Sequence, residues 1–173
     1  MTNRDLRRKQ VLTIIISILI AIQYIIILRF SYAPGDISTK QSVIVSKYII
    51  NFVEETLSVD LDLDESQFKQ FVGFVRKAAH FIFYALLGFF IYSLALVWRK
   101  SSFKPALYSF LAVVILASMD ELIQYFIPGR VALISDVLLD SAGCIFGMLI
   151  VRLMYNIYVS RKAKRDVSRI NKK

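Results

Sequence analysis

The sequence predicts an all-α protein, a four-helix transmembrane bundle with an additional amphipathic helix in its long outer loop. Three observations predict it. Hydrophobic residues make up 57% of the chain and charged residues only 20%, with a mean hydropathy of +0.57; a soluble domain carries about 25% charged residues. Four apolar runs are long enough, or nearly so, to cross ~30 Å of hydrocarbon as helices. Lys and Arg gather beside these runs in an alternating pattern, as they do around membrane spans.

The first run, Val11 to Leu28, is interrupted only by Thr13, Ser17 and Gln23. It exceeds the ~7–15 apolar residues of a secretory signal, and Pro34 directly follows the weakly cleavage-like Ser31-Tyr32-Ala33, so an uncleaved anchor is expected. The outer loop, 29–78, comes next. Within it Val43, Ile44, Ile50, Val53 and Leu57 recur at helical spacing among Lys47, Asn51, Glu54 and Glu55. This predicts a helix over Ser42–Leu57 on the outer membrane surface or across the bundle mouth, although Val43-Ile44-Val45 has local strand propensity. Asp60 to Glu65 reads as a break. Asp64 or Ser66 is placed to cap a further helix, which runs through Phe68, Phe71, Val72 and Val75 into the second span. The remaining spans are expected over about 79–98, 106–127 and 137–158, followed by a basic tail, 159–173. Residues 1–173 form one domain.

Charge gives the orientation. Arg4, Arg7, Arg8 and Lys9 precede the first span; Arg99, Lys100 and Lys104 join the second to the third; Arg161, Lys162, Lys164, Arg165, Arg169, Lys172 and Lys173 follow the fourth. With all three groups in the cytoplasm the number of spans must be even, and both termini lie inside. The opposite links hold Asp36, Glu54, Glu55, Asp60, Asp62, Asp64 and Glu65, with Arg130 in the short one. A multi-pass protein of the cell membrane with both termini cytoplasmic is expected. The net charge of +9 is then a topology signal. Nucleic acid is not an expected partner, because no basic reading helix or zinc spacing accompanies the charge. The single cysteine, Cys144, excludes a disulfide framework and reads as a small core residue.

Ionisable residues inside spans cost about 2.5–3.5 kcal/mol each at the centre of a helix and require an explanation. Arg76, His80 and Tyr84 share one helical face at i, i+4, i+8, with Lys77 alongside. Asp120, Glu121 and Gln124 lie in the third span, roughly 12 Å below the helix end at Pro128. Asp136 and Asp140 open the fourth. All fall in the outer half of their spans, so the economical arrangement turns them inward, where Arg76, Lys77 and Arg130 offset Asp120, Glu121, Asp136 and Asp140 around a small wet cavity. Gly143 and Gly147 give the fourth span a smooth strip for close helix packing.

Two ordered blocks carry a resemblance. Arg76-Lys77-Ala78-Ala79-His80-Phe81 through Tyr84 to Gly88 resembles the R-K-x-x-H-F-x-x-Y-x-x-L-G signature of the VanZ-like family. Asp120-Glu121-Leu122-Ile123-Gln124-Tyr125-Phe126-Ile127-Pro128-Gly129-Arg130 is similar to its D-E-x-x-Q-x-F-x-P-x-R. Asp136, Asp140 and Gly143 follow where the family tends to show D-x-x-x-N-x-x-G, so Asp140 replaces an Asn. Pro34-Gly35-Asp36 resembles, more loosely, the segment after the family's first span. The founding member is associated with teicoplanin resistance, which implies a role in the cell envelope and names no reaction.

Each polar residue has a structural and a chemical account. His80, the only histidine, either orients helices through a carboxylate or exchanges a proton near neutrality. Asp120 and Glu121 either pair with Arg76 or Arg130 or line a head-group pocket; two adjacent acids exceed what one pair needs. Arg130 either caps its turn or pairs with Asp136, or grips a phosphate with its guanidinium fork. The expectation is an outer-leaflet site with His80, Asp120 and Glu121 as catalytic candidates. Arg76, Lys77, Tyr84, Gln124, Arg130, Asp136 and Asp140 are the binding candidates. The expected partners are membrane lipid and a lipid-linked envelope substrate. The rival is a non-enzymatic binder or small transporter; four helices are few for alternating access, so transport calls for a homodimer. No cofactor is expected, and no metal, since no repeated ligand spacing is present.

Overall fold

The computed structural model describes residues 2–99 and 103–170. Lys100, Lys172 and Lys173 of the basic clusters lie outside these ranges, as does the side chain of Arg169. Five helices follow in order: α1 (Asn3–Ser31), α2 (Gly35–Leu57), α3 (Glu65–Trp98), α4 (Phe103–Tyr125) and α5 (Ile134–Ile170), with no strand among the described residues. Four of them, α1, α3, α4 and α5, are long and apolar enough to cross a membrane. The fold is all-α, as the sequence predicts. Helix wins over local strand propensity at Val43-Ile44-Val45, which sit in the middle of the 23-residue α2 with no neighbouring strand to pair with among the described residues.

Local chemistry sets the helix ends. Asp64 opens α3 with a capping box: the Gln67 amide donates to Asp64 Oδ1 at 2.8 Å, and the Asp64 amide donates to Gln67 Oε1 at 3.0 Å. From there α3 runs without a break for 34 residues, ~51 Å at 1.5 Å per residue, well beyond the ~30 Å that hydrocarbon occupies. Its first turns thus stand clear of the apolar span and supply a wall for α2. Between α2 and α3, Ser58 takes the left-handed conformation and ends α2.

α3 is the axis of the bundle. Tyr84, Leu87 and Tyr92 on it are buried against Val113 and Ala117 of α4 and Cys144 of α5. α3 and α5 run in the same direction and lie in backbone contact. A Cβ on Gly143 would fall 2.4 Å from the Phe81 carbonyl oxygen, one on Gly147 would fall 1.9 Å from that of Ala85, and one on Gly88 2.7 Å from that of Cys144. Small residues allow this approach, which supplies dispersion where lipid removes the hydrophobic drive between helices. α1 docks antiparallel to α3 through Gln23 Nε2 donating to the Phe83 carbonyl at 3.2 Å and Trp98 Nε1 donating to Thr13 Oγ1 at 2.8 Å. The start of α1 and the end of α3 therefore share one end of the bundle, where the Lys9 ammonium also lies 5.5 Å from the Trp98 ring. Val97 and Tyr158 border one groove, which brings the end of the α5 span to that same end.

At the opposite end two turns are knitted together. The Gly35 amide donates to the Pro128 carbonyl at 3.1 Å, and a Cβ on Gly35 would fall 2.0 Å from the Gly129 oxygen. Gly129 itself has φ +74°, the region that glycine occupies without penalty. α2 sits beside this junction with a serine-bearing side inward. Its buried residues are Gly35, Ser38 and Ser46, whereas Ile44, Tyr48, Phe52 and Leu57 are exposed. Half-buried Val43, Ile50 and Val53 share the inner side with these serines, and the exposed apolar residues turn outward, the arrangement suited to the lipid interface.

Candidate functional site

The polar residues of three helices converge at the α2 end of the bundle. α3 supplies His80 and Tyr84, α4 supplies Asp120 and Gln124, and α5 supplies Asp140. Parallel packing of α3 and α5 through their glycines sets the register that faces His80 with Asp140: His80 Nδ1 lies 3.8 Å from Asp140 Oδ1. One ligand-type atom from each of His80, Asp120 and Asp140 falls within 4.8 Å of the others. Both aspartates are fully buried. Gln124 Nε2 donates to Asp120 Oδ2 at 3.1 Å, one turn along α4. Asp120 Oδ1, both oxygens of Asp140 and the Tyr84 hydroxyl have no hydrogen-bond partner, an uncommon condition for buried polar atoms.

A cavity of about 190 Å³ opens beside this cluster, room for several waters. Ile27 and Phe30 of α1, Val45 of α2 and Val75 and Phe83 of α3 give it apolar walls, and Ser38, Gln41 and Ser42 of α2 line one side. His80 and Tyr84 border it, and Arg76 and Arg130 are its two cationic residues. The inward serine face of α2 is thus the polar side of the cavity.

Arg130 has a second task. Its Nε donates to the Ala33 carbonyl at 3.2 Å and its Nη2 donates to the Phe30 carbonyl, so it caps the C-terminal end of α1 from the α4–α5 turn. A cation there satisfies orphan carbonyls and complements the helix dipole. Burial and the proximity of Arg76 hold its guanidinium below the ordinary arginine value, yet an arginine remains charged under any condition in which the protein is folded.

The remaining candidates go elsewhere. Glu121 is buried beside the α4–α5 loop, where its Oε2 accepts from the Leu133 amide at 3.0 Å. Asp136 lies in the first turn of α5, within 3.3 Å of the Ser135 hydroxyl, as an acid at a helix N-terminus. Lys77 is exposed and lines no part of the cavity. The expected offsetting of carboxylates by Arg76, Lys77 and Arg130 does not occur: among the described residues the one ion contact is His80–Asp140. Arg130 is committed to backbone carbonyls, and Arg76, one turn before His80 on the same face of α3, borders the cavity without an ion contact to a carboxylate. Sequence reading also missed the contribution of α1. Ser31, buried with its hydroxyl donating to the Ile27 carbonyl at 2.9 Å, and Tyr24 both neighbour Asp120. Their only trace in the sequence is a hydroxyl at the end of an otherwise apolar run.

Fold and site together define a multi-pass helical membrane protein with a histidine–carboxylate cluster sealed between its spans beneath a basic-rimmed cavity. The chain belongs to the VanZ/LLP1 family, whose model matches residues 15–155. That span includes the whole cluster and the cavity over it. No curated protein and no solved structure matches the chain.

Proposed function

We propose that this protein works in the cell membrane with both termini in the cytoplasm, and that it binds the anionic, phosphate-bearing head group of an envelope lipid or lipid-linked wall precursor in the cavity beneath α2. One observation carries the reading: two arginines border a cavity with apolar walls on α1 and α3, and neither is paired with a carboxylate. An unpaired cation within low-dielectric walls attracts an anion strongly, and the guanidinium fork matches phosphate oxygens. Apolar walls beside the cations suit an amphiphile, whose chain stays in hydrocarbon while its head enters the protein. The outward apolar face of α2 keeps the cavity at the level of the lipid interface. The charge distribution supports the orientation, with basic residues at the end that holds the termini and acids near α2. An envelope lipid also fits the cell-envelope role that the family's association with glycopeptide resistance implies.

The test uses purified protein in detergent, titrated with fluorescent phosphatidylglycerol, undecaprenyl phosphate, phosphatidylcholine and free inorganic phosphate. The two anionic amphiphiles are expected to bind more tightly than the zwitterion, and their rank separates phospholipid from lipid-linked precursor. Arg76→Ala, which removes no side-chain hydrogen bond or ion pair seen among the described residues, is expected to weaken anion binding at least tenfold, or ~1.4 kcal/mol. Equal binding of phosphatidylcholine, or an unchanged affinity in Arg76→Ala, defeats the reading.

A further inference from the structure

We infer that His80, Asp120 and Asp140 form a binding site for a divalent transition-metal ion, of the Zn²⁺ or Mn²⁺ class, with an open coordination position facing the cavity. The inference is independent of the head-group reading; only the identity of the ligand at the open position depends on it.

Two separate observations point to a cation. First, one donor atom from each of the three residues lies within 4.8 Å of the other two. Ligands ~2.0–2.2 Å from a metal stand roughly 3.5 Å apart at tetrahedral angles, so side-chain rotations closing the set by about 1 Å complete the shell. Second, the carboxylates are fully buried and unsatisfied: neither oxygen of Asp140 and only one of Asp120 has a hydrogen-bond partner. Two buried acids face one histidine, and the nearest arginine, Arg130, spends its donors on the α1 carbonyls. A single proton shared between His80 and Asp140 Oδ1 leaves Asp140 Oδ2 and Asp120 Oδ1 without a donor. A dication satisfies them together.

The donor set selects the ion. One imidazole nitrogen and two carboxylates suit zinc and manganese, whereas calcium seeks six to eight oxygens and magnesium keeps most of its waters. Gln124, bonded to Asp120 Oδ2, fixes the carboxylate as outer partners of metal ligands do. His80 and Tyr84 border the cavity, so the remaining position opens between Arg76 and Arg130. Water or an anionic oxygen can occupy it.

Spacing rules miss such a site. They recognise ligands that repeat along one helix, and these three come from α3, α4 and α5. Asp140 stands where the resembled motif tends to show Asn, so the third ligand belongs to this chain's own variation.

The experiment measures metal directly. Tag-free protein in detergent, stripped with chelator, is equilibrated with Zn²⁺ or Mn²⁺, desalted and analysed by mass spectrometry for metal per chain. One ion per chain is expected for the unaltered protein, with at least tenfold weaker binding in Asp140→Asn and in His80→Ala. Arg76→Ala is expected to retain the ion even as it loses anionic lipid, which separates this site from the head-group reading. X-ray absorption of the unaltered, zinc-loaded protein covers the case in which the variants fail to fold. A shell of one nitrogen with oxygens supports the assignment. Substoichiometric binding of both metals, full retention in Asp140→Asn, or a shell containing sulfur overturns it.

Discussion

Gly35 and Gly129 meet backbone to backbone: the amide of Gly35 bonds the Pro128 carbonyl at 3.1 Å, and a Cβ on Gly35 would stand 2.0 Å from the Gly129 oxygen. This contact joins the α1–α2 turn to the α4–α5 turn, and Arg130 closes it from the side. The Pro-Gly pairs at 34–35 and 128–129 are therefore two halves of one junction over the cavity. Gly35→Ala forces two backbone segments apart. A loss of about 1–3 kcal/mol is expected, as for other overpacked sites, read as a lower midpoint of thermal unfolding in detergent. An unchanged midpoint would show that the turns separate freely.

The α3–α5 seam allows a test with an internal control. Gly147 meets the Ala85 carbonyl oxygen at a virtual Cβ distance of 1.9 Å, whereas nothing lies within 4 Å of a Cβ on Gly73. Gly147→Ala is expected to destabilise by about 1–3 kcal/mol. Gly73→Ala, in an open helix interior, is expected to be neutral or stabilising by up to ~1 kcal/mol through helix propensity. Since the seam also sets His80 against Asp140, Gly147→Ala is expected to lower metal occupancy. Equal melting of the two variants refutes the close approach.

How much of this was legible in the sequence depends on the range of each signal. The spans follow from hydropathy, and Asp64 as a cap follows from residue type and position, because these are local properties. That His80, Asp120 and Asp140 gather follows from the cost of burying charge in lipid. Partner choice does not follow. It depends on the register between α3 and α5, which the backbone contacts at Gly88, Gly143 and Gly147 set. Glu121 and Asp136 share the composition of the site but are used by the α4–α5 turn and the start of α5. α2 was legible as a helix in the periodicity of Val43, Ile44, Ile50 and Val53. Which side meets the bundle was not, because Ser38 and Ser46 share the inner side with half-buried Val43, Ile50 and Val53 while Ile44 turns out.

Arg130 is where structure and binding overlap, and two substitutions separate the roles. Arg130→Lys keeps a cation near the cavity but cannot reach both the Phe30 and Ala33 carbonyls with a planar fork. It is expected to lose about 1–3 kcal/mol of stability while retaining most anion binding. Arg130→Gln is expected to lose both. Stability and lipid affinity measured on the same preparations distinguish these outcomes; an Arg130→Lys protein as stable as the parent would remove the cap from the account of α1.

The orientation is open to a direct chemical test, because the only native thiol, Cys144, is buried and supplies little background labelling. Asp36, at the start of α2, and Lys104, at the start of α4, are both exposed and lie at opposite ends of the bundle. With α1 rising from the cytoplasm, a cysteine at position 36 is expected to react with a membrane-impermeant maleimide in intact cells, and one at position 104 only after permeabilisation. The charge argument makes the expectation specific: Arg4, Arg7, Arg8, Lys9, Arg99, Lys104 and Arg161 all belong to the end that must stay inside. The reverse labelling pattern would place the His80 cluster beneath the inner leaflet. The lipid that Arg76 and Arg130 meet would then come from the cytoplasmic pool, and a wall precursor exposed outside the cell would no longer reach them.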